Sequence, residues 1–192
     1  MRLFVAVEMD EASRRIAAGV QREVQSALDP ILKARWVPAE NMHLTVRFIG
    51  HVDDVRAPAV IAALTPPLEV PPFDVALGAC GMFPPHGPPR VFWIGLAEGL
   101  PSLALLHHAF DRRLQPFGFE PEARPFSAHL TLARVKEAPR GSARAVRGAL
   151  DQIAVPATRF HVGHATVLRS HLSPNGPRYE VIGITELKTS EP

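Results

Sequence analysis

The chain has 192 residues, of which 46% are hydrophobic and 21% charged, a composition typical of a soluble globular domain. Its net charge of only +2 argues against a protein that coats long nucleic acids by charge alone. Cys80 is the single cysteine, which excludes a disulfide within the chain, and no apolar run approaches the roughly 20 residues needed to span a bilayer. We therefore expect a cytoplasmic protein without a membrane segment.

The first half of the chain alternates strands with helices. Residues 2–8 form an apolar run that predicts a strand, and Asp10 is placed to cap a helix whose apolar stripe ends near residue 29. The pattern then predicts a strand at 43–50, a helix at 55–64, a strand at 73–78, and a strand at 90–96 after a Pro/Gly loop.

The second half repeats this order. A helix with apolar residues at helical spacing from 103 to 114 is followed by predicted strands and helices in the same sequence as before. These are a strand at 129–134, a helix at 143–153, a strand at 159–168, a turn at 173–176 and a last strand at 178–184.

Short motifs recur at matching places in the two halves. His43-Leu44-Thr45 returns 86 residues later as His129-Leu130-Thr131, and Pro89-Arg90 returns as Pro177-Arg178. The repeat predicts a single bilobal α+β domain over 1–192, with an internal repeat of approximately 1–96 and 97–192. We expect two pseudo-symmetric lobes of antiparallel sheet plus helices, with one His-x-Thr strand from each facing a central cleft.

The paired motifs indicate acid–base chemistry. Residues i and i+2 of a strand share a face, so His43 lies beside Thr45, and His129 beside Thr131. Near pH 7 one imidazole can accept a proton while the other donates one, and the threonine hydroxyls can donate hydrogen bonds to phosphate oxygens. One His-x-Thr segment alone carries little information, whereas its repetition predicts metal-independent phosphoryl transfer with no cofactor.

In their full context these motifs resemble a known family. Residues 2–6, 36–38, 41–50, 90–95, 124–126 and 129–134 are similar to the 2H phosphoesterases, and within them to the RNA 2′,3′-cyclic phosphodiesterases, also called 2′-5′ RNA ligases. Ser127-Ala128 departs from the family pattern, which commonly carries proline just before the second histidine.

The resemblance implies a substrate and a division of roles. The substrate would be an RNA end closed as a 2′,3′-cyclic phosphate, tRNA fragments among the candidates, opened to a 2′-phosphate. His43 would be the proton donor and His129 the proton acceptor, and the reverse reaction would be 2′-5′ RNA ligation to a 5′-OH end. The residues by themselves leave open which histidine is the acid. We expect a monomer.

Three further side chains are candidates for binding phosphate or RNA. Arg47 follows Thr45 by two residues, so ideal alternation places it on the cleft face, with a surface ion pair as the alternative. Arg134 matches a family arginine, but alternation turns it away from the cleft unless the strand ends or bulges there. Tyr179 is a candidate ligand contact, whereas Phe83 and Phe126 favour core packing.

Other interpretations stay open. The chain could act on a small cyclic nucleotide, or bind RNA ends without catalysis. A zinc site at His161 and His164 or at His107-His108 is disfavoured because neither pair sits at a helical i, i+4 spacing with a carboxylate partner. A helix face bearing Arg140, Arg144 and Arg147 could contact the RNA backbone or be an ordinary solvated surface.

Overall fold

The computed structural model describes residues 1–122, 125–173 and 176–189. Arg124 of the family resemblance and the predicted turn residues Pro174 and Asn175 lie outside the described residues. Within the described part, thirteen helices and strands follow one another as β1 Arg2–Val7, α1 Glu11–Leu28, β2 Lys33–Trp36, β3 Leu44–His51, α2 Ala57–Leu64, β4 Phe73–Phe83, β5 Val91–Glu98, α3 Leu100–Leu114, β6 Leu130–Glu137, α4 Ala143–Leu150, β7 Arg159–Val162, β8 His164–Ser173 and β9 Gly176–Glu186.

Most predicted elements are present, including the Asp10 cap of α1, whose side chain accepts a hydrogen bond from the Ser13 amide at 2.7 Å. Three elements differ from the prediction. The strand predicted at 159–168 is two strands, β7 and β8, and the edge strand β2 was not predicted because it has few apolar residues. Strand β4 runs beyond residue 78 through a glycine-rich stretch of low β-propensity, where a Cβ on Gly81 would lie 2.3 Å from the Trp93 ring.

All nine described strands form one sheet in the order β7-β4-β5-β6-β3-β1-β8-β9, with β2 paired to β6. Their pairings within the sheet are antiparallel. The central strands β3 and β6 pair only at Leu44 and Leu130. This minimal contact divides the sheet into two lobes, so the predicted two-lobed α+β fold is confirmed.

The lobes do not coincide with the two halves of the sequence. The hairpin β4–β5 follows the first His-x-Thr motif along the chain but pairs with β6, which carries the second. The hairpin β8–β9 follows the second motif but pairs with β1, beside β3. Each half therefore builds part of both lobes, and the two copies of the repeat interlock.

The helices cover one face of the sheet and leave the other face to the site. One cluster of buried apolar residues joins all four helices to the central strands, including Leu44 and Leu130. A smaller cluster on the opposite face contains Phe4, Ala6 and Leu168 with Tyr179 packed against it. Among the described residues no helix combines the length and apolarity needed to cross a membrane.

Candidate active site

The two His-x-Thr motifs meet where β3 and β6 pair. Leu44 lies opposite Leu130 in an antiparallel register. Counting one residue in each direction from this pair places Thr45 next to His129, and His43 next to Thr131. The junction between the lobes, which we call the cleft, therefore receives one histidine and one threonine from each copy of the repeat.

A backbone carbonyl orients each imidazole. Nδ1 of His43 lies 2.8 Å from the Asn41 carbonyl oxygen, and Nδ1 of His129 lies 2.7 Å from that of Ser127. A carbonyl oxygen can only accept a hydrogen bond, so Nδ1 carries the hydrogen in both rings. Nε2 is then the nitrogen that can gain or release a proton, and this holds for both histidines.

Different neighbouring charges act on the two rings, Glu8 and Arg14 on His43 and Arg134 on His129. Burial lowers the pKa of His43 below its usual value, with an added decrease from Arg14, while the Asn41 hydrogen bond and the Glu8 carboxylate oppose the change. Burial also lowers the pKa of His129, and the positive charge of Arg134 lowers it further against the Ser127 hydrogen bond. The pseudo-symmetric site is thus electrostatically asymmetric.

Aromatic side chains line both sides of the cleft. His43 packs against Phe4 at 5.0 Å and meets Tyr179 edge-on at 5.2 Å, and Phe83 meets His129 edge-on at 5.0 Å. Beside His129 a cavity of about 460 Å³ opens between aromatic and apolar walls. Its lining includes Phe83, Trp93 and Phe126, so the two phenylalanines assigned to the core lie at this cavity.

Arg134 faces the cleft because β6 contains a bulge. Trp93 of β5 pairs with Thr131 and the preceding Phe92 pairs with Ala133, so Leu132 is an extra residue in β6. The extra residue reverses the alternation and turns Arg134 to the face of Thr131. Burial raises the pKa of Tyr179 and the Arg134 charge opposes this rise, so the guanidinium acts on side chains of both lobes.

The same kind of bulge removes Arg47 from the cleft, and its predicted position there is wrong. Ala6 of β1 pairs with Thr45 and Val5 pairs with Arg47, which makes Val46 the extra residue in β3. Arg47 consequently points into the protein, where it is 4% exposed and forms an ion pair with Asp111 at 2.6 Å. Phe48 takes the outward position instead and is 47% exposed.

Two other predictions need correction. His107 does have a carboxylate at i+4, Asp111, which lies 3.2 Å from its Nε2. Together with His108, these residues bring potential metal ligands within 4.8 Å of one another. The Arg47 cation already neutralises Asp111, however, which disfavours a metal ion there. Arg140 precedes α4 rather than extending its arginine face.

Comparison with known proteins identifies the family. A family model described as "LigT like Phosphoesterase" matches the chain twice, at residues 8–93 and 94–179. The chain belongs to this family. The resemblance to the 2H phosphoesterases in the sequence is therefore confirmed.

Two curated relatives of this LigT-like phosphoesterase align with it over most of both chains. It is 31% identical to an RNA 2′,3′-cyclic phosphodiesterase of Methanocaldococcus jannaschii, over 95% of this chain and 98% of that one. It is 34% identical to the enzyme of the same name from Thermus thermophilus, over 95% of this chain and 88% of that one.

Solved structures share the fold. A crystal structure of a Thermus thermophilus protein superposes with a TM-score of 0.77 and 28% identity over 100% of both chains. Escherichia coli LigT in its apo form superposes with a TM-score of 0.71 over 98% of both chains, and at 23% identity this likeness concerns the fold alone.

Two residues near His43 and His129 were not singled out from the sequence. Glu8 influences His43 from the end of β1, and Trp93 lines the cavity beside His129. Trp93 lies within a segment that resembled the family, so that resemblance could have indicated it. Nothing local to the sequence distinguishes Glu8, because its proximity to His43 depends on the pairing of β1 with β3.

Proposed function

We propose that this phosphoesterase opens terminal 2′,3′-cyclic phosphates of RNA to 2′-phosphates. The observation that carries the proposal is the pair of imidazoles at one cleft, each with Nδ1 held by a carbonyl and Nε2 left for proton transfer. The relatives named RNA 2′,3′-cyclic phosphodiesterase, at 31% and 34% identity over nearly the whole chain, support the choice of substrate.

In the proposed reaction, neutral His129 accepts a proton from water at Nε2 as the water oxygen bonds to phosphorus. The bond between phosphorus and the 3′ oxygen breaks, and protonated His43 gives its Nε2 proton to that oxygen. A 2′-phosphate and a free 3′-OH result. A 5′-OH in place of water would instead join two RNA ends through a 2′-5′ linkage, which is the proposed ligation.

The charges around the rings support this division of roles. The Glu8 carboxylate favours the protonated form of His43, as an acid requires. The Arg134 guanidinium favours the neutral form of His129, as a base requires. Burial lowers the pKa of both histidines, and at His43 the effect of Glu8 exceeds the opposing effect of Arg14, so the neighbouring charges still distinguish the two rings. On this difference and on the family resemblance we base the proposed roles of His43 as proton donor and His129 as proton acceptor.

The remaining cleft side chains complete the proposed site. The Thr45 and Thr131 hydroxyls donate hydrogen bonds to the non-bridging phosphate oxygens, where negative charge accumulates in the transition state. Arg134 adds a positive charge, and the raised pKa of Tyr179 keeps its phenol protonated as a donor. The cavity walled by Phe83 and Trp93 suits a nucleobase, which stacks on aromatic rings. Acid, base and charge stabilisation thus come from side chains without a metal or cofactor.

Product analysis on an oligonucleotide ending in a 2′,3′-cyclic phosphate, in the presence of EDTA, tests the proposal. We expect turnover to a 2′-phosphate, resolved from the 3′-phosphate isomer by chromatography. A 3′-phosphate product would contradict the assigned bond cleavage, and activity restored only by a divalent ion would contradict the two-histidine mechanism. Binding without turnover would favour an RNA-end binding module, and turnover of small cyclic nucleotides alone would favour the alternative substrate.

The pH dependence should reflect both histidines. The competent enzyme has one protonated and one neutral imidazole, and its population peaks midway between the two pKa values. Burial lowers both pKa values below 6.5, so we expect a bell-shaped profile of kcat/KM with its maximum below that pH. The bound phosphate anion stabilises imidazolium, so the profile of kcat should lie at higher pH. A monotonic kcat/KM profile would contradict the mechanism.

A further inference from the structure

Two buried polar side chains contact the bulges of the motif strands in a pseudo-symmetric way. Gln21 of α1 donates from Nε2 to the Leu132 carbonyl at 2.8 Å, and Nδ1 of His107 in α3 donates to the Val46 carbonyl at 2.8 Å. Gln21 and His107 are 86 residues apart, as are Val46 and Leu132. The offset equals that of the His-x-Thr motifs, so these contacts belong to the repeat.

The contacts run between the two halves of the chain. Helix α1, in the first half, holds the bulge of β6, and helix α3, in the second half, holds the bulge of β3. A bulge interrupts the regular ladder, and its backbone groups need partners when they are buried. Gln21 and His107 each supply such a partner by donating a hydrogen bond to the carbonyl of the extra residue. This extra residue determines which of the following side chains face the cleft.

Gln21 also reaches the segment that leads into the first motif. The same Nε2 donates to the Val37 carbonyl at 2.8 Å, and the Val37 amide donates to the Leu132 carbonyl at 2.8 Å. This segment continues to Asn41, whose carbonyl orients His43. Gln21 therefore connects the strand of the second motif to the support of the first histidine.

His107 makes the reciprocal connection. Its ring stacks on Phe126 with centroids 4.5 Å apart and planes at 16°, immediately before Ser127, whose carbonyl orients His129. Nε2 of His107 also lies 3.2 Å from Asp111, and Asp111 pairs with Arg47, which donates to the Glu120 carbonyl at 2.5 Å. His107 therefore connects the strand of the first motif to the support of the second histidine.

We propose that Gln21 and His107 are positioning residues that hold the two catalytic histidines in register. Both are buried on the helix side of the sheet, so they act through the bulges and through the segments that directly precede the two histidines. Misplacement of a reacting group by about 1 Å can cost on the order of 10²-fold in rate, so small shifts at these contacts reach the chemistry. The inference rests on the proposed acid–base function.

The kinetic experiment removes each donor while keeping the size of the side chain. Gln21→Met and His107→Phe should each lower kcat/KM for a cyclic-phosphate substrate by about tenfold or more, mainly through kcat. Gln25→Met and His108→Phe, on the same helices, are the matched controls and should stay within about twofold of the parent. Values within about twofold for both folded test variants would overturn the proposal.

A spectroscopic readout separates positioning from general loss of structure. Two-bond ¹H–¹⁵N correlation spectra report which ring nitrogen carries the hydrogen, and the parent should show the Nδ1–H form for neutral His43 and His129. Gln21→Met should disturb this state at His43, and His107→Phe should disturb it at His129. Unchanged spectra in both variants, or equal disturbance of both rings by either variant, would overturn the crosswise connection.

A conservative variant provides the rescue. His107→Asn keeps an amide donor near the position of Nδ1, so its kcat/KM should recover towards the parent value. A kcat/KM of His107→Asn as low as that of a folded His107→Phe would reject the donor role. If His107→Phe does not fold, the Gln21 variants provide the test. The spectra need no substrate, so an enzyme that fails to turn over cyclic phosphates would contradict the proposed function while the positioning inference is still tested.

Discussion

Replacing either of the proposed catalytic histidines by alanine is expected to lower kcat/KM on a cyclic-phosphate oligonucleotide by at least about 10²-fold, the usual loss for a general acid or base. His43→Ala removes the proposed proton donor, and His129→Ala removes the proposed acceptor that activates water. The rates are measured by initial velocities at the pH of maximum activity. His164→Ala, an exposed histidine in β8, is the matched control and should behave like the parent.

The double variant distinguishes one coupled step from two independent contributions. Because both protons move in the same displacement, the double variant should be little slower than the slower single variant. Losses that simply multiply would argue against coupled acid–base catalysis. Loss of activity in only one of the two single variants would argue against the pair altogether.

The largest expected effect on stability comes from Asp111→Ala. Asp111 is 6% exposed and pairs with Arg47, which is 4% exposed, so the substitution removes the closest counter-charge of a buried cation and leaves it the more exposed Glu122 carboxylate at 3.1 Å. Removing one partner of such a pair typically costs about 3–5 kcal/mol of unfolding free energy. Chemical denaturation monitored by circular dichroism measures the change.

Two comparisons test whether burial of the pair is the cause. Glu137→Ala removes an exposed partner of Lys33, 3.6 Å away, and should change the unfolding free energy little because solvent screens that pair. Replacing both Arg47 and Asp111 by apolar residues of similar size should recover much of the stability lost in Asp111→Ala. Equal stability of Asp111→Ala and the parent would contradict the description of this pair as a buried ion pair.

The two arginines show where local reasoning succeeds and where it fails. Alternation along an ideal strand put Arg47 in the cleft and turned Arg134 away, and the structure has the reverse. Both differences have one cause, since each motif strand gains an extra residue, Val46 or Leu132, directly after its threonine. For Arg134 the sequence reasoning stated the required exception, a bulge, but no local pattern could show that it exists.

The sequence by itself determined the repeat, the His-x-Thr pair, membership of the 2H phosphoesterases and most of the order of helices and strands, apart from β2 and the division of β7 from β8. Motifs and apolar periodicity are local properties of the chain, so sequence reasoning can detect them. The exchange of hairpins between lobes and the bulges of the two motif strands were decided by the tertiary structure. A bulge exists only relative to a partner strand, and β6 meets its partner β5 through a register set by the whole sheet. Which side chains enter the cleft is therefore a consequence of strand pairing between distant segments, and residue spacing alone does not contain it.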